Sequence, residues 1–154
     1  MDELRVENGS VSEMAQFIVI KIGGEQYGIN IAYVDNIVRM PQITRVPKVA
    51  PYIKGVINLR GIVVPVKSLR LKMGLSADEY TKSTRIIILK LENQGTVGII
   101  VDEVREVITL DSEQIEKVSA DTQSEKVNFV QSVGKANGGL VSILDLNAVA
   151  TEKE

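Results

Sequence analysis

An internal repeat constrains this chain more than any other feature. Tyr27-Gly28-Ile29-Asn30-Ile31, followed by Val34 and Ile37-Val38, lies over Val97-Gly98-Ile99-Ile100-Val101, followed by Val104 and Val107-Ile108, about 70 residues later. The preceding segments also match, Ile20-Lys21-Ile22 over Leu89-Lys90-Leu91. Further on, Gly61 and the apolar run before Ser68-Leu69 correspond to Gly138 and the run before Asp145-Leu146. Each half therefore holds two strands, an apolar turn, a hairpin and a short terminal helix. Strands of about five residues joined by short turns point to small closed barrels. Two copies predict two barrels, and a half of about 70 residues buries too little alone, so the pair should share an apolar interface. One mixed β-sandwich is the alternative.

The element boundaries follow from local chemistry. Residues 1–15 are acidic and polar, and read as a flexible N-terminal tail. Phe17 to Ile22 is β-branched and reads as a strand, Gly23-Gly24 as a turn, and Gln26 to Ile29 as its partner. Ile31, Val34, Ile37 and Val38 fall at helical spacing and predict a short helical turn. Gly55 to Leu59 and Ile62 to Val66 form a hairpin around Arg60-Gly61. Pro65 lacks an N–H, which places it at an edge or bulge. A short helix around Leu69 to Gly74 and a polar connector at 76–84 follow. Strands are expected at Ile86 to Leu91 and Val97 to Val101, and no strong element at 116–128. A last hairpin, Phe129 to Val133 and Leu140 to Leu144, turns at Asn137-Gly138-Gly139, and Asp145 caps a terminal helix. The expected first barrel covers about 16–75 and the second about 84–144, with a tail at 151–154.

Composition removes whole classes of chemistry. There is no Cys and no His, so disulfides, Cys/His zinc sites and Ser-His or Cys-His catalytic pairs are impossible. No phosphate-cradling glycine loop or calcium loop is present. The net charge is −2 and the 18 basic residues are dispersed, which argues against nucleic acid as a partner. No run reaches the roughly 18 apolar residues that span a bilayer. Asp102, Glu103 and Glu106 cluster and read as a solvated face; Glu103 and Glu106 share a helical spacing, and a small hydrolase using Asp102 and Glu106 is the competing reading. No metal or cofactor is expected.

Gly55-Val56-Ile57-Asn58-Leu59-Arg60-Gly61 places a polar and a charged residue at a tight turn between apolar strands. Asn58 supports the turn in one reading, and Arg60 is either solvated or offers its planar fork to a partner carboxylate. This segment, with Val64-Pro65-Val66 and Leu69, resembles the signature of the chemotaxis coupling protein family, the CheW-like domains. The resemblance extends through Phe17 to Ile22, Tyr27-Gly28-Ile29, Thr44-Arg45-Val46, Val97-Gly98-Ile99, Ser112-Glu113-Gln114-Ile115 and Ile143-Leu144-Asp145-Leu146, and covers about residues 15–150.

The resemblance implies a mainly β fold of two packed five-stranded SH3-like barrels with a few short helices. It implies a non-enzymatic, cytoplasmic adaptor that bridges the helical tip of chemoreceptors to the regulatory domain of a CheA-type histidine kinase. A regulatory scaffold domain from another two-component protein is the alternative. A groove between the barrels would take the receptor, with Val34, Ile37, Val38, Asn58, Arg60, Val101 and Val104 as candidates. The first barrel would meet the kinase through Ile43, Thr44, Arg45, Val64 and Val66; core packing competes for the last two. Isolated, the protein is expected to be a monomer that does not insert into membranes but is recruited to receptor arrays. Three positions depart from the family pattern: Asn36 where Glu is frequent, Lys67-Ser68 for an apolar-Asp pair, and Ile62 after the signature glycine.

Overall fold

A computed structural model describes residues 13–92, 94–117, 129–136 and 139–150. Among the described residues there are eleven strands and two short α-helices: β1 Met14–Ile22, β2 Glu25–Asn30, β3 Val34–Arg39, β4 Ile53–Leu59, β5 Ile62–Ser68, α1 Leu69–Lys72, β6 Arg85–Leu91, β7 Gly95–Val101, β8 Glu103–Asp111, β9 Ile115–Lys117, β10 Val130–Ala136, β11 Gly139–Leu144 and α2 Leu146–Ala150. Among the described residues no helix is long and apolar enough to cross a membrane. The predicted tails lie mostly outside the described residues, as do 118–128 and the turn residues 137 and 138.

Two sheets result, one ordered β8-β1-β2-β11-β10-β9 and the other β3-β6-β7-β5-β4. The expected division into barrels at 16–75 and 84–144 is therefore not how the strands pair. Each barrel takes a hairpin from one repeat and the remaining strands from the other: β1 and β2 join four strands of the second half, and β6 and β7 join three of the first. β3 pairs with β6, Val34 opposite Leu89, and its counterpart β8 pairs with β1, Val104 opposite Ile20. β5 runs parallel to β7, Val66 opposite Gly98, and β11 runs parallel to β2, Ile143 opposite Gly28. The connections explain the exchange. Asp102 alone separates β7 from β8, and a one-residue link bends a chain without reversing it. Between β2 and β3 stands a single 3-10 turn, Ile31–Tyr33, capped by the Asn30 side chain, whose Oδ1 accepts from the Ala32 N–H at 2.9 Å. The short helix expected through Val38 shrinks to this turn. Its remaining β-branched residues join the sheet instead, because β6 offers them an open edge.

Unbroken apolar runs follow from burial on both faces. In β6, Ile86 and Ile88 fill one barrel with Ile57, Val64, Val66 and Ile100. Ile87 and Leu89 point the other way, into a core shared by both barrels. In β1, Phe17 and Val19 line the other barrel, and Ile18, Ile20 and Ile22 enter the shared core. α1 and α2 seal that core with Leu69, Met73, Leu146 and Val149. Asp145 caps α2 as the sequence predicts, accepting from the Ala148 N–H at 3.2 Å, and Ser68 Oγ caps α1, accepting from the Leu71 N–H at 3.1 Å. Lys67 is buried, and its ammonium donates to the Ala150 carbonyl at the end of α2. Pro65 sits one residue before the β5–β7 ladder begins at Val66, where its missing N–H costs no pairing.

Candidate functional site

The β4–β5 hairpin turns in two residues, because Leu59 faces Ile62 in the register. Arg60 and Gly61 both have positive φ, 51° and 85°, the arrangement of a type I′ turn that matches strand twist. Asn58 supports it, its Oδ1 accepting from the Gly61 N–H at 2.9 Å. Arg60 stands at the tip with its side chain 65% exposed, and Nη2 lies 3.5 Å from Asp35 Oδ2. Lys90 approaches the other oxygen of Asp35 at 3.9 Å. Asp35 is the extra residue of a β-bulge: Val34 pairs with Leu89 and Asn36 with Ile88, leaving Asp35 between them. A bulge re-aims a side chain, and here it places a carboxylate beside Arg60.

Asn58 and Arg60 stand at this tip, and the Arg60–Asp35 contact ties it to β3, the strand that carries Val34 and Ile37. Val34 is half-buried against the shared core, as is Val104 on the opposite strand set, and Ile37 is exposed. Val38 is half-buried against the interior of its own barrel. Val101 is fully buried in the shared core and offers nothing to a partner without rearrangement. Its assignment to the receptor surface is corrected to core.

On the other side of that barrel the loop after β3 folds back over β4. Thr44 and Val56 exchange two backbone hydrogen bonds of 2.8 Å. Ile43 is tucked against the barrel interior, and Thr44 and Arg45 are exposed. Val64 and Val66 are 0% exposed, so they too are core and not partner-facing. The reason is strand parity: β5 alternates, and Val63 points to solvent where Val64 points inward.

A third cluster ties the barrels together. Asp102, at the crossover from β7 to β8, accepts Arg70 Nε at 3.0 Å, Arg70 Nη2 at 2.9 Å and the Gly23 N–H at 2.9 Å. Its own N–H donates to the Lys21 carbonyl. Burial would push the Asp102 carboxyl up, but the Arg70 hydrogen bond, the Gly23 N–H and the charges of Arg70 and Lys21 outweigh it and hold the carboxyl below its ordinary value. The hydrogen bond to Asp102 in turn holds the Arg70 guanidinium above its ordinary value. Asp102 is thus an engaged structural anion, not a solvated one, and an acid held low is the reverse of what a glycosidase-type proton donor requires. Glu106 is exposed on β8.

With this geometry in view, the comparisons decide the family. The CheW-like domain description matches residues 16–154. The chemotaxis protein CheW of Bacillus subtilis is 40% identical over 134 residues, covering 87% of this chain and 85% of that protein. The one from Helicobacter pylori is 39% identical over 137 residues, 89% and 82% of the two chains. The crystal structure of the scaffolding protein TtCheW from Thermoanaerobacter tengcongensis superposes with a TM-score of 0.82 at 30% identity, over 92% of this chain and 98% of that one.

This chain belongs to the CheW-like family. The expected fold, two packed β-barrels with few helices, stands, with the strand exchange as its correction. The departures from the family pattern also find their places. Asn36 carries no charge and caps its neighbour locally, its Oδ1 accepting from the Ile37 N–H at 2.8 Å. The carboxylate beside Arg60 comes from Asp35 instead. Lys67 and Ser68 serve the two helices, and Ile62 stands exposed at the hairpin tip. Sequence reasoning missed Asp35, Lys90 and Arg70. A carboxylate one position from the expected acidic site was the available signal for Asp35; nothing local marked Arg70.

Proposed function

We propose that this CheW-like chain is a non-enzymatic, cytoplasmic adaptor coupling the tips of chemoreceptors to the regulatory domain of a CheA-type histidine kinase. The observation that carries it is Arg60. A non-glycine residue at φ 51° costs roughly 1 kcal/mol, and glycine would adopt the turn freely. An exposed arginine kept in a strained position points to use of its guanidinium. With Val34, Ile37 and Val38 on β3 and the seam at Val104, Arg60 would border an apolar groove for a receptor helix. Ile43, Thr44 and Arg45 would meet the kinase on a separate face. The chain acts by position, as a monomer when isolated, and joins the membrane only through the receptors it binds.

The two roles of Arg60 separate in a substitution series. Arg60→Glu is expected to weaken binding to a purified receptor cytoplasmic hairpin about tenfold or more, with kinase-domain affinity nearly unchanged. Arg60→Gly should also weaken receptor binding, yet raise the melting temperature by about 2–4 °C as the backbone strain is relieved. Calorimetric titration with each partner and thermal unfolding check both. Equal loss of both partners with unchanged circular dichroism would sink the two-surface assignment.

A further inference from the structure

The loop from Met40 to Pro51 and the start of β4 enclose a cleft of about 560 Å³. Its apolar walls include Val46, Val49 and Tyr80, which all keep substantial exposure in a folded chain. Its rim carries Arg45, Lys48 and Lys54, and no acidic side chain lines it. Among the described residues none of these three cations is paired with a carboxylate. Three unspent positive charges around one apolar cleft stand out in a chain whose net charge is −2.

The backbone adds an independent observation. Among the described residues only two non-glycine residues have positive φ, Arg60 at 51° and Lys48 at 62°. Both are exposed cations. Glycine or asparagine would hold either position with less strain, so an ammonium kept at the mouth of the cleft marks it as Arg60 marks the hairpin tip.

We propose that this cleft docks an acidic, apolar-anchored segment of the kinase regulatory domain. An apolar side chain enters between Val46 and Val49, and flanking carboxylates meet Arg45, Lys48 and Lys54. This rests on the reading above, in which the face around Ile43 to Arg45 meets the kinase, and it adds the chemistry of the partner. A protein segment fits better than an anionic membrane because the apolar groups line a concavity, whereas a bilayer surface is engaged by groups that stand proud.

The test is calorimetry with a purified CheA-type regulatory domain at about 0.05 and 0.3 M NaCl, where screening differs strongly. The wild-type chain is compared with the triple charge reversal R45E/K48E/K54E and with Lys48→Asn, which tolerates the backbone angle. Wild-type affinity should fall several-fold with salt. The triple variant should lose about tenfold or more at low salt and show little remaining salt dependence. Lys48→Asn should lose about threefold, and receptor-hairpin binding should be unchanged in both variants. Equal kinase binding by all three proteins overturns the cleft and leaves the adaptor reading intact. Absence of wild-type kinase binding removes the adaptor reading and this inference with it. Recruitment of the wild type, but not the triple variant, to phosphatidylglycerol-containing vesicles, with kinase binding unaltered, assigns the cleft to a membrane and overturns the proposal.

Discussion

Replacing Gly55 with alanine is expected to lower the melting temperature by about 10 °C. Gly55 has φ +145°, a conformation open to glycine and strained for every L side chain. A Cβ there would lie 2.1 Å from the Thr44 carbonyl oxygen, 2.8 Å from its carbon and 2.9 Å from Ile43 Cγ2. The first two are backbone atoms, so no rotamer change relieves the contact. Relief requires the loop to lift from β4, which breaks the two hydrogen bonds between Thr44 and Val56. Strain and lost pairing together come to about 3 kcal/mol or more. At about 2–4 °C per kcal/mol for a chain of this size, the midpoint falls by roughly 10 °C. Urea and thermal unfolding measure it. The same variant should bind the kinase domain poorly, because Ile43 to Arg45 move with the loop. A loss below about 1 kcal/mol would show that the loop does not depend on this contact.

Asp102→Ala is the second large effect, expected at about 2–4 kcal/mol. The substitution leaves the Arg70 guanidinium, mostly shielded at 19% exposure, without its fork partner, and strips the Gly23 N–H of its acceptor. Because Arg70 follows β5 and Gly23 joins β1 to β2, both barrels loosen where they meet. The pH dependence gives a second readout. The folded-state pKa of Asp102 lies below its unfolded value near 3.8. Its contribution is therefore complete above that value and is lost as the pH falls through the depressed folded value. The wild-type advantage over Asp102→Ala should hold from neutral pH down to about 5 and shrink in stronger acid. An advantage that stays constant to pH 2, or is absent at pH 7, would show that the carboxylate charge does not hold the junction. Arg70→Ala should give a smaller loss, since Asp102 keeps the Gly23 N–H and gains water.

Local chemistry was enough to place most of the elements. The Arg60-Gly61 turn, the Asp145 cap and the apolar strands arise from interactions within a few residues, and each appears where its residues predict. β1 begins at Met14, inside the expected tail, because β8 is long enough to pair Met14 with Asp111. Exposure was legible where it is set locally, at Arg60, Asn58, Thr44 and Arg45. It was misread at Val64, Val66 and Val101, which are buried and whose apolar character is the same on a surface as in the core.

By itself, then, the sequence determined that the chain is a twice-repeated set of short strands, that it lacks the thiol and imidazole chemistry of many catalysts, and that its hairpin tip carries an arginine. Those properties depend on residue identity and short-range geometry. Only the tertiary structure decided which strands share a barrel, which face of β5 is core, and which carboxylates meet Arg60 and Arg70. Each of these is a contact between residues tens of positions apart. The strand pattern of one half fits the edge of either hairpin equally well. The one-residue bend at Asp102 and the 3-10 turn at Ile31–Tyr33, together with the shared apolar core that forms when the strands cross over, choose between them.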